Sequence, residues 1–226
     1  MIPDLDLLEI EIETLWVVDG RSRRVRARTS QEWPAPHLVI ASSCEGQIVA
    51  IGSEVPDALA IELKTAVAGE PPSPDPATPP ASTARCAQLL RDTIGDVELS
   101  SGPSFVIPPT TAFESTAAIQ RSDSANIKTL SGQNPVEANW SAEEWRLLLD
   151  GTLGPWAIAT VGDQVVSICH TARLADRGAE AGVWTGPDFR GQGHAAAVTA
   201  ARASLLAPTG RTFSTAPAPT TSRRNA

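Results

Sequence analysis

The chain has 226 residues, of which 42% are hydrophobic, and its formal net charge is −8 at pH 7. This length suits one large or two small domains, and we expect two soluble, globular ones. The negative charge disfavours nucleic-acid binding. No apolar run approaches the roughly 18 residues that cross a bilayer and the start has no signal-peptide pattern, so we expect no membrane association and a cytoplasmic location.

The three cysteines give no sign of a metal site or a disulfide framework. Cys44, Cys86 and Cys169 lie far apart and are odd in number. This usage is typical of reduced thiols in a cytoplasmic protein. We therefore predict no metal.

The N-terminal part opens with an alternating pattern of apolar and acidic residues. Leu7–Val18 carries Leu, Ile, Trp and Val at a period near two and ends at Asp19 and Gly20, a hairpin-type turn signal. We therefore predict a strand over Leu7–Val18 that pairs with a second strand over Arg24–Arg28.

The remainder of residues 1–110 mixes strand and helix signals. The predicted elements are strands His37–Ser42 and Gln47–Gly52, helices Asp57–Ala68 and Thr83–Thr93, and strand Ser104–Ile107. Six prolines within residues 69–82 predict a stiff, exposed linker, the alternative being a proline-rich docking ligand. We expect residues 1–110 to form a smaller α+β domain.

Residues 111–226 have a more regular pattern of strands and helices. The predicted elements are strand Ala117–Gln120, helix Ser124–Leu130, a helix from Ser141 to Asp150, strands Trp156–Val161, Val165–Thr171 and Glu180–Thr185, and helix Gly193–Leu206. Ser141 and Glu144 form a capping box, and Gly162 with Asp163 marks a hairpin turn. We expect residues 213–226, which lack periodicity, to be irregular.

The segment VWTGPDFRGQGHA, Val183–Ala195, joins the last predicted strand to the last helix. A glycine turn that runs into a helix can hold a phosphate group, because the helix presents unpaired N–H groups and the positive end of its dipole. After Asp188 the chain has no acidic residue and five arginines. This part of the chain could therefore attract an anionic small molecule.

Three interpretations of this turn compete: a dinucleotide fingerprint, a purely structural turn, and a resemblance to a known family. A dinucleotide fingerprint needs an acidic residue about 20 positions later, and none is present. A Walker-type loop needs a Gly-Lys-Ser/Thr sequence, which is also missing. A purely structural strand-to-helix turn that binds nothing stays open.

The segment resembles the acetyl-CoA motif of the GCN5-related N-acetyltransferase (GNAT) superfamily. Arg190, Gly193 and Ala195 occupy the signature places of Arg/Gln-x-x-Gly-x-Gly/Ala, after an apolar-aromatic strand end and an x-Pro-x-aromatic sequence. With the order of the preceding elements, the resemblance covers roughly residues 116–215. It implies a mixed α/β (α+β) acyltransferase fold that uses acetyl-CoA as acyl donor without a metal.

The resemblance also implies a binding site and a base. The expected donor-binding residues are Val183, Trp184, Thr185, Arg190, Gly191, Gln192, Gly193, His194 and Ala195. The turn amides would hold the pyrophosphate, and the strand would pair with the pantetheine arm. Acetyl transfer needs a neutral amine, and Glu180, the only acidic residue of its strand, is the candidate base; a solvated carboxylate is the alternative. Adjacent Cys169 and His170 cannot form a nucleophilic dyad, because strand neighbours point to opposite faces.

The C-terminal end departs from the GNAT pattern. Acetyltransferases of this type continue after the helix with further strands and often supply a tyrosine acid, whereas this chain has no tyrosine. We expect a fold that is incomplete at its C-terminus, through a frameshift near Thr212 with early termination.

These patterns favour an acetyl-CoA-dependent N-acetyltransferase that acts on an amine of a small molecule or protein. A non-catalytic acyl-CoA-binding module, or an inactive remnant, is the first alternative. An interaction protein that works through its N-terminal domain and proline linker is the second.

Overall fold

The protein is described from a computed structural model. The described residues are 2–20, 24–27, 34–72, 75, 78–124, 127–133 and 140–215. Their helices are α1 (Asp4–Leu15), α2 (Asp57–Val67), α3 (Ser82–Ile94), α4 (Ile127–Leu130), α5 (Ala142–Leu149) and α6 (His194–Leu206). Their strands are β1 (Val17–Asp19), β2 (Arg24–Arg26), β3 (Leu38–Ser43), β4 (Gly46–Gly52), β5 (Phe105–Val106), β6 (Ala118–Arg121), β7 (Ala157–Val161), β8 (Gln164–Leu174), β9 (Gly178–Thr185) and β10 (Thr212–Thr215).

Contacts divide the chain into two compact units, an N-terminal unit up to Ser104 and a C-terminal unit of Phe105–Thr215. Both mix helices with a sheet, which confirms the predicted mixed α/β class.

The N-terminal unit is a four-stranded sheet in the order β1-β2-β4-β3 with helices on both faces. Helices can pack on both faces of this sheet because successive side chains of β4 point to opposite faces and belong to two different clusters. Ile51 packs with α2 and α3, whereas Ile48 and Ala50 pack with Ile12 of α1.

The predicted strand Leu7–Val18 is wrong, since most of it belongs to α1. Leu5, Leu8 and Ile12 follow the helical spacing i, i+3, i+7, and all three belong to the cluster against the sheet. Acidic residues Asp4 and Asp6 occupy the first turn, where the helix dipole favours them. The apolar residues of this segment fit both the strand period of two and the helical period of 3.6. Their packing against the sheet stabilises the helix.

The proline-rich segment joins α2 and α3, which pack in one cluster. The Glu70 carboxylate accepts hydrogen bonds from the backbone N–H groups of Ala81 and Ser82. These bonds hold the two ends of the segment together at the start of α3. Part of the predicted linker, residues 73, 74, 76 and 77, lies outside the described residues.

The C-terminal unit is a six-stranded sheet in the order β5-β10-β9-β8-β7-β6. Neighbouring strands are antiparallel except β9 and β10, which are parallel and joined through α6. Helix α6 covers one face, on which Ala157, Ala159, Cys169 and Ala179 lie. Helix α5 covers the other face.

The predicted helices and strands of this unit are confirmed with small shifts, except at the C-terminal end. We predicted an irregular segment from residue 213 onwards, but residues 213–215 belong to β10. Phe213 of this strand is 3% exposed. Phe213 joins the cluster under α6, and β10 pairs with β9 and β5. A single buried aromatic between polar residues carries no periodicity, so the strand depends on these tertiary contacts. Residues 216–226 lie outside the described part of the chain.

The capping box at the start of α5 is present. The Ser141 hydroxyl accepts from the Glu144 N–H at 3.1 Å, and the Glu144 carboxylate accepts from the Ser141 N–H at 2.8 Å. We expect Ser141→Ala to lower the free energy of unfolding by about 1 kcal/mol, because one N–H of the first turn loses its acceptor. Urea titration measures this change. Thr111→Ala, at an exposed position of the same unit, should leave the midpoint unchanged.

Candidate functional site

Strand β9 is fully paired on one side and only partly paired on the other. It pairs with β8 from Ala179 to Thr185, but with β10 only over Gly178–Glu180. Within the described part of the chain, no strand pairs with Ala181–Thr185 on the β10 side. Over residues 181–185, β9 therefore has no partner strand on one side among the described residues. This side is called the open edge of β9.

The backbone orientation of this open edge follows from one hydrogen bond. The Gly186 N–H donates to the Val166 carbonyl at 2.9 Å, so Gly186 points its backbone groups towards β8. Backbone groups of successive strand residues point to opposite sides. The N–H and C=O groups of Val183 and Thr185 therefore point towards the open side, where an extended ligand can pair with them.

The open edge runs directly into the glycine turn. A short 3-10 turn, Pro187–Phe189, is followed by Gly191 (φ 75°) and Gly193 (φ 81°, ψ 0°), the N-cap of α6. No side chain caps this helix, and its first backbone bond joins the Ala197 N–H to the Gly193 carbonyl at 3.0 Å. The first-turn N–H groups of α6 thus have no acceptor within the helix, and they lie next to the open strand edge.

The predicted donor-binding residues at the turn differ in what their side chains do. Arg190 is exposed, with its Nε 3.4 Å from the Thr185 carbonyl oxygen. The Gln192 amide donates to the Asp188 carbonyl at 3.1 Å. His194 is 1% exposed, and its Nδ1 lies 3.0 Å from the Ser115 hydroxyl. At the turn itself, His194 therefore offers its backbone N–H rather than its ring.

Glu180, the predicted base, lies where β10 stops pairing with β9. Its carboxylate is 2.6 Å from the Arg173 guanidinium, and the residue is 9% exposed. Arg173 pairs with Glu180 across the strands, after a register irregularity in β8. Sequence reasoning missed Arg173, because nothing in the local pattern shows the irregularity that places it opposite Glu180.

His170 lies on the same face of the sheet as Glu180, across from Gly182. A Cβ atom on Gly182 would be 2.2 Å from the His170 ring, so the ring lies against the β9 backbone. Its other neighbour is the Trp140 ring, at 4.9 Å between centroids. Burial, followed by the positive charge of Arg202, lowers the pKa of His170 to about 4, against a hydrogen bond with the Gly182 backbone that favours the charged form.

This lowered pKa predicts acid sensitivity. Between pH 6.5 and 4 the unfolded chain binds a proton at His170 that the folded protein does not, so stability falls as the pH falls through this window. At about 1.4 kcal/mol per pKa unit, the full loss is about 3 kcal/mol. Urea titrations at several pH values should show a steeper decline for the wild type than for His170→Gln. Parallel declines would contradict this assignment.

Arg202, counted above among the arginines that could attract an anion, is instead completely buried in α6. It donates to the Pro155 carbonyl at 2.9 Å and to the Thr171 hydroxyl at 2.8 Å, and its guanidinium lies 4.6 Å from the centre of the Phe213 ring. Burial lowers the pKa of Arg202, and burial likewise raises the pKa of the neighbouring Cys169 thiol. Arg202 therefore fixes α6 against the sheet and is not available to a ligand at the turn, where Arg190 is exposed.

The sequence predicts no metal site, no disulfide framework and no membrane association. All three cysteines are free. Over the described ranges, no group of three His, Cys, Asp or Glu side chains is arranged to hold a metal ion. A search of the same residues found no helix with the length and apolar character that a membrane crossing requires.

Comparisons with known proteins found similar solved structures. No family model matches the chain, and no curated protein matches it. Among solved structures, the chain is similar to a protein of Novosphingobium aromaticivorans DSM 12444 that is assigned to the GNAT family of acetyltransferases. The two share 16% identity over 92% of this chain and 82% of the other, with a TM-score of 0.36.

Proposed function

We propose that the protein is an acyltransferase that transfers an acetyl group from acetyl-CoA to an amine of a small molecule or protein. One observation carries the proposal: the open edge of β9 leads through a short turn, residues 186–193, into the uncapped N-terminus of α6. An extended chain that ends in a phosphate group matches this arrangement. The GNAT-like motif in the same residues supports acetyl-CoA as that ligand.

The turn supplies the groups that a pyrophosphate needs. Positive φ angles at Gly191 and Gly193 bend the chain into the N-terminus of α6, where the first-turn N–H groups and the helix dipole favour an anion. Arg190 adds an exposed cation. The pantetheine arm would then follow Val183–Thr185 and pair with the outward N–H and C=O groups of Val183 and Thr185.

The chemistry would take place where β9 and β10 separate. The acceptor nitrogen attacks the thioester carbon, the new C–N bond forms, and the C–S bond breaks. Glu180 takes the proton that the amine releases. The departing thiolate takes up a proton from water, and Glu180 then returns its own proton to water, which restores the carboxylate. A backbone N–H of the open edge would stabilise the negative charge on the carbonyl oxygen.

The contact between Glu180 and Arg173 supports a second candidate function. Arg173 donates to one Glu180 carboxylate oxygen at 2.6 Å, and a carboxylate that serves as a structural ion-pair partner favours a non-catalytic acyl-CoA-binding module. Both functions require acetyl-CoA to bind, and they differ in turnover.

The test combines binding with turnover. Calorimetry with acetyl-CoA measures binding, and release of the CoA thiol over a panel of amines measures turnover. Binding with turnover supports the transferase, binding without turnover supports the alternative, and no binding refutes both.

Glu180→Gln tests the base directly. We expect thiol release to fall by roughly a hundredfold or more while acetyl-CoA affinity changes less than about twofold, because proton removal contributes about 10²- to 10⁴-fold. Asp163→Asn, an exposed carboxylate in the turn between β7 and β8, should change neither quantity. An equal effect of both variants would contradict the role of Glu180.

A further inference from the structure

Phe113 lies directly against the glycine turn although it is far apart in sequence. A Cβ atom on Gly193 would be 2.8 Å from Cε1 of the Phe113 ring, so the ring edge touches the N-cap residue of α6. At the same time the residue is 53% exposed. The ring thus has one edge on the turn and much of its surface in solvent.

The segment around Phe113 is held in place by hydrogen bonds. The Ser115 hydroxyl lies 3.0 Å from the His194 Nδ1 and accepts from the Ala117 N–H at 3.1 Å. Ala117 is buried in the cluster under α6 and begins the path into β6. Since His194 is the first residue of α6, the bond from Ser115 ties the chain two residues after Phe113 to the start of this helix.

The other aromatic rings near the turn are used in packing. Trp184 packs against the cluster under α5, and Phe189 packs against the cluster under α6. Of the aromatic side chains described here, Phe113 therefore presents the most accessible ring surface at the turn. An exposed ring that belongs to no core cluster keeps surface on which a planar group can stack.

The chemistry of a ring face selects one part of the ligand. The negative face of an aromatic ring repels phosphate oxygens but stacks well on a nucleobase. In acetyl-CoA the adenine is separated from the pyrophosphate by a single ribose. We infer that Phe113 is a specificity-determining residue that stacks on the adenine of the donor and distinguishes acetyl-CoA from acyl carriers without a nucleotide. This inference rests on the proposed binding of acetyl-CoA at the turn.

The test compares two donors on the full chain. Acetyl-CoA and S-acetyl-4′-phosphopantetheine share the thioester and the pantetheine arm, but only the first carries adenine. For Phe113→Ala we expect acetyl-CoA affinity to fall about tenfold or more and S-acetyl-4′-phosphopantetheine affinity to stay within twofold. Phe113→Trp should restore acetyl-CoA affinity. Phe105→Ala, which removes a ring of similar exposure from β5, should change neither.

The outcomes separate this inference from the proposed function. Wild-type protein that fails to bind acetyl-CoA overturns both. Wild-type binding that Phe113→Ala leaves unchanged overturns the inference alone. A rise in affinity for both donors also overturns it, because the ring would then obstruct the turn. Thermal melts of each variant confirm that the fold is retained before affinities are compared.

Discussion

Valine in place of Gly193 should weaken acetyl-CoA binding by at least tenfold in calorimetry. Gly193 has φ 81° and ψ 0°, a left-handed conformation that β-branched residues rarely adopt. A Cβ atom there would also be 2.8 Å from the Phe113 ring. The variant must therefore either change the backbone of the turn or displace Phe113, and both alter the site where we place the pyrophosphate.

Gly162 provides the matched control for this substitution. It also has a positive φ, 57°, in the turn between β7 and β8, and a Cβ atom there would meet nothing within 4 Å. Gly162→Val should destabilise the protein through the same backbone strain but leave acetyl-CoA affinity within about twofold of the wild type. Equal losses of affinity in both variants would show that strain in the fold, and not the turn, determines binding.

The features of the fold and of the candidate site that could be predicted from sequence depend on residues close together in the chain. Gly191 and Gly193 meet a backbone requirement that lies within the turn itself. The Ser141 capping box likewise depends on residues three positions apart. Such features are encoded by neighbouring residues, and the structure has them where the sequence places them.

The parts that could not be predicted depend on contacts between distant residues. The ring of Phe113 meets Gly193, 80 positions further along the chain, and no local pattern marks it. Arg173 meets Glu180 because of an irregularity in β8. The strand containing Phe213 depends on a place between β5 and β9. The helix α1 was missed for a different reason, since its residues satisfy two periods.

Arg202 also makes contacts with residues that are distant in sequence. We expect Arg202→Ala to lower the free energy of unfolding by about 3–5 kcal/mol. The change leaves a cavity at a fully buried position and removes the donors to the Pro155 carbonyl and the Thr171 hydroxyl. Urea unfolding measures the loss. Arg146→Ala removes a guanidinium that makes ion pairs with Glu143 and Asp150 at the surface, and it should leave the midpoint almost unchanged.

A second variant separates the packing of Arg202 from its hydrogen bonds. Arg202→Met keeps most of the apolar stem but has no donor, so we expect a smaller loss than for Arg202→Ala. The Thr171 hydroxyl also donates to the Pro155 carbonyl at 3.1 Å, and we expect this bond to persist in Arg202→Met and to limit the number of unsatisfied groups. If Arg202→Met were less stable than Arg202→Ala, packing would not be the main contribution of Arg202. Because Arg202 bonds to Thr171 of β8 and to the Glu180 carbonyl of β9, the two variants together show how much stability depends on these contacts of α6 with the sheet.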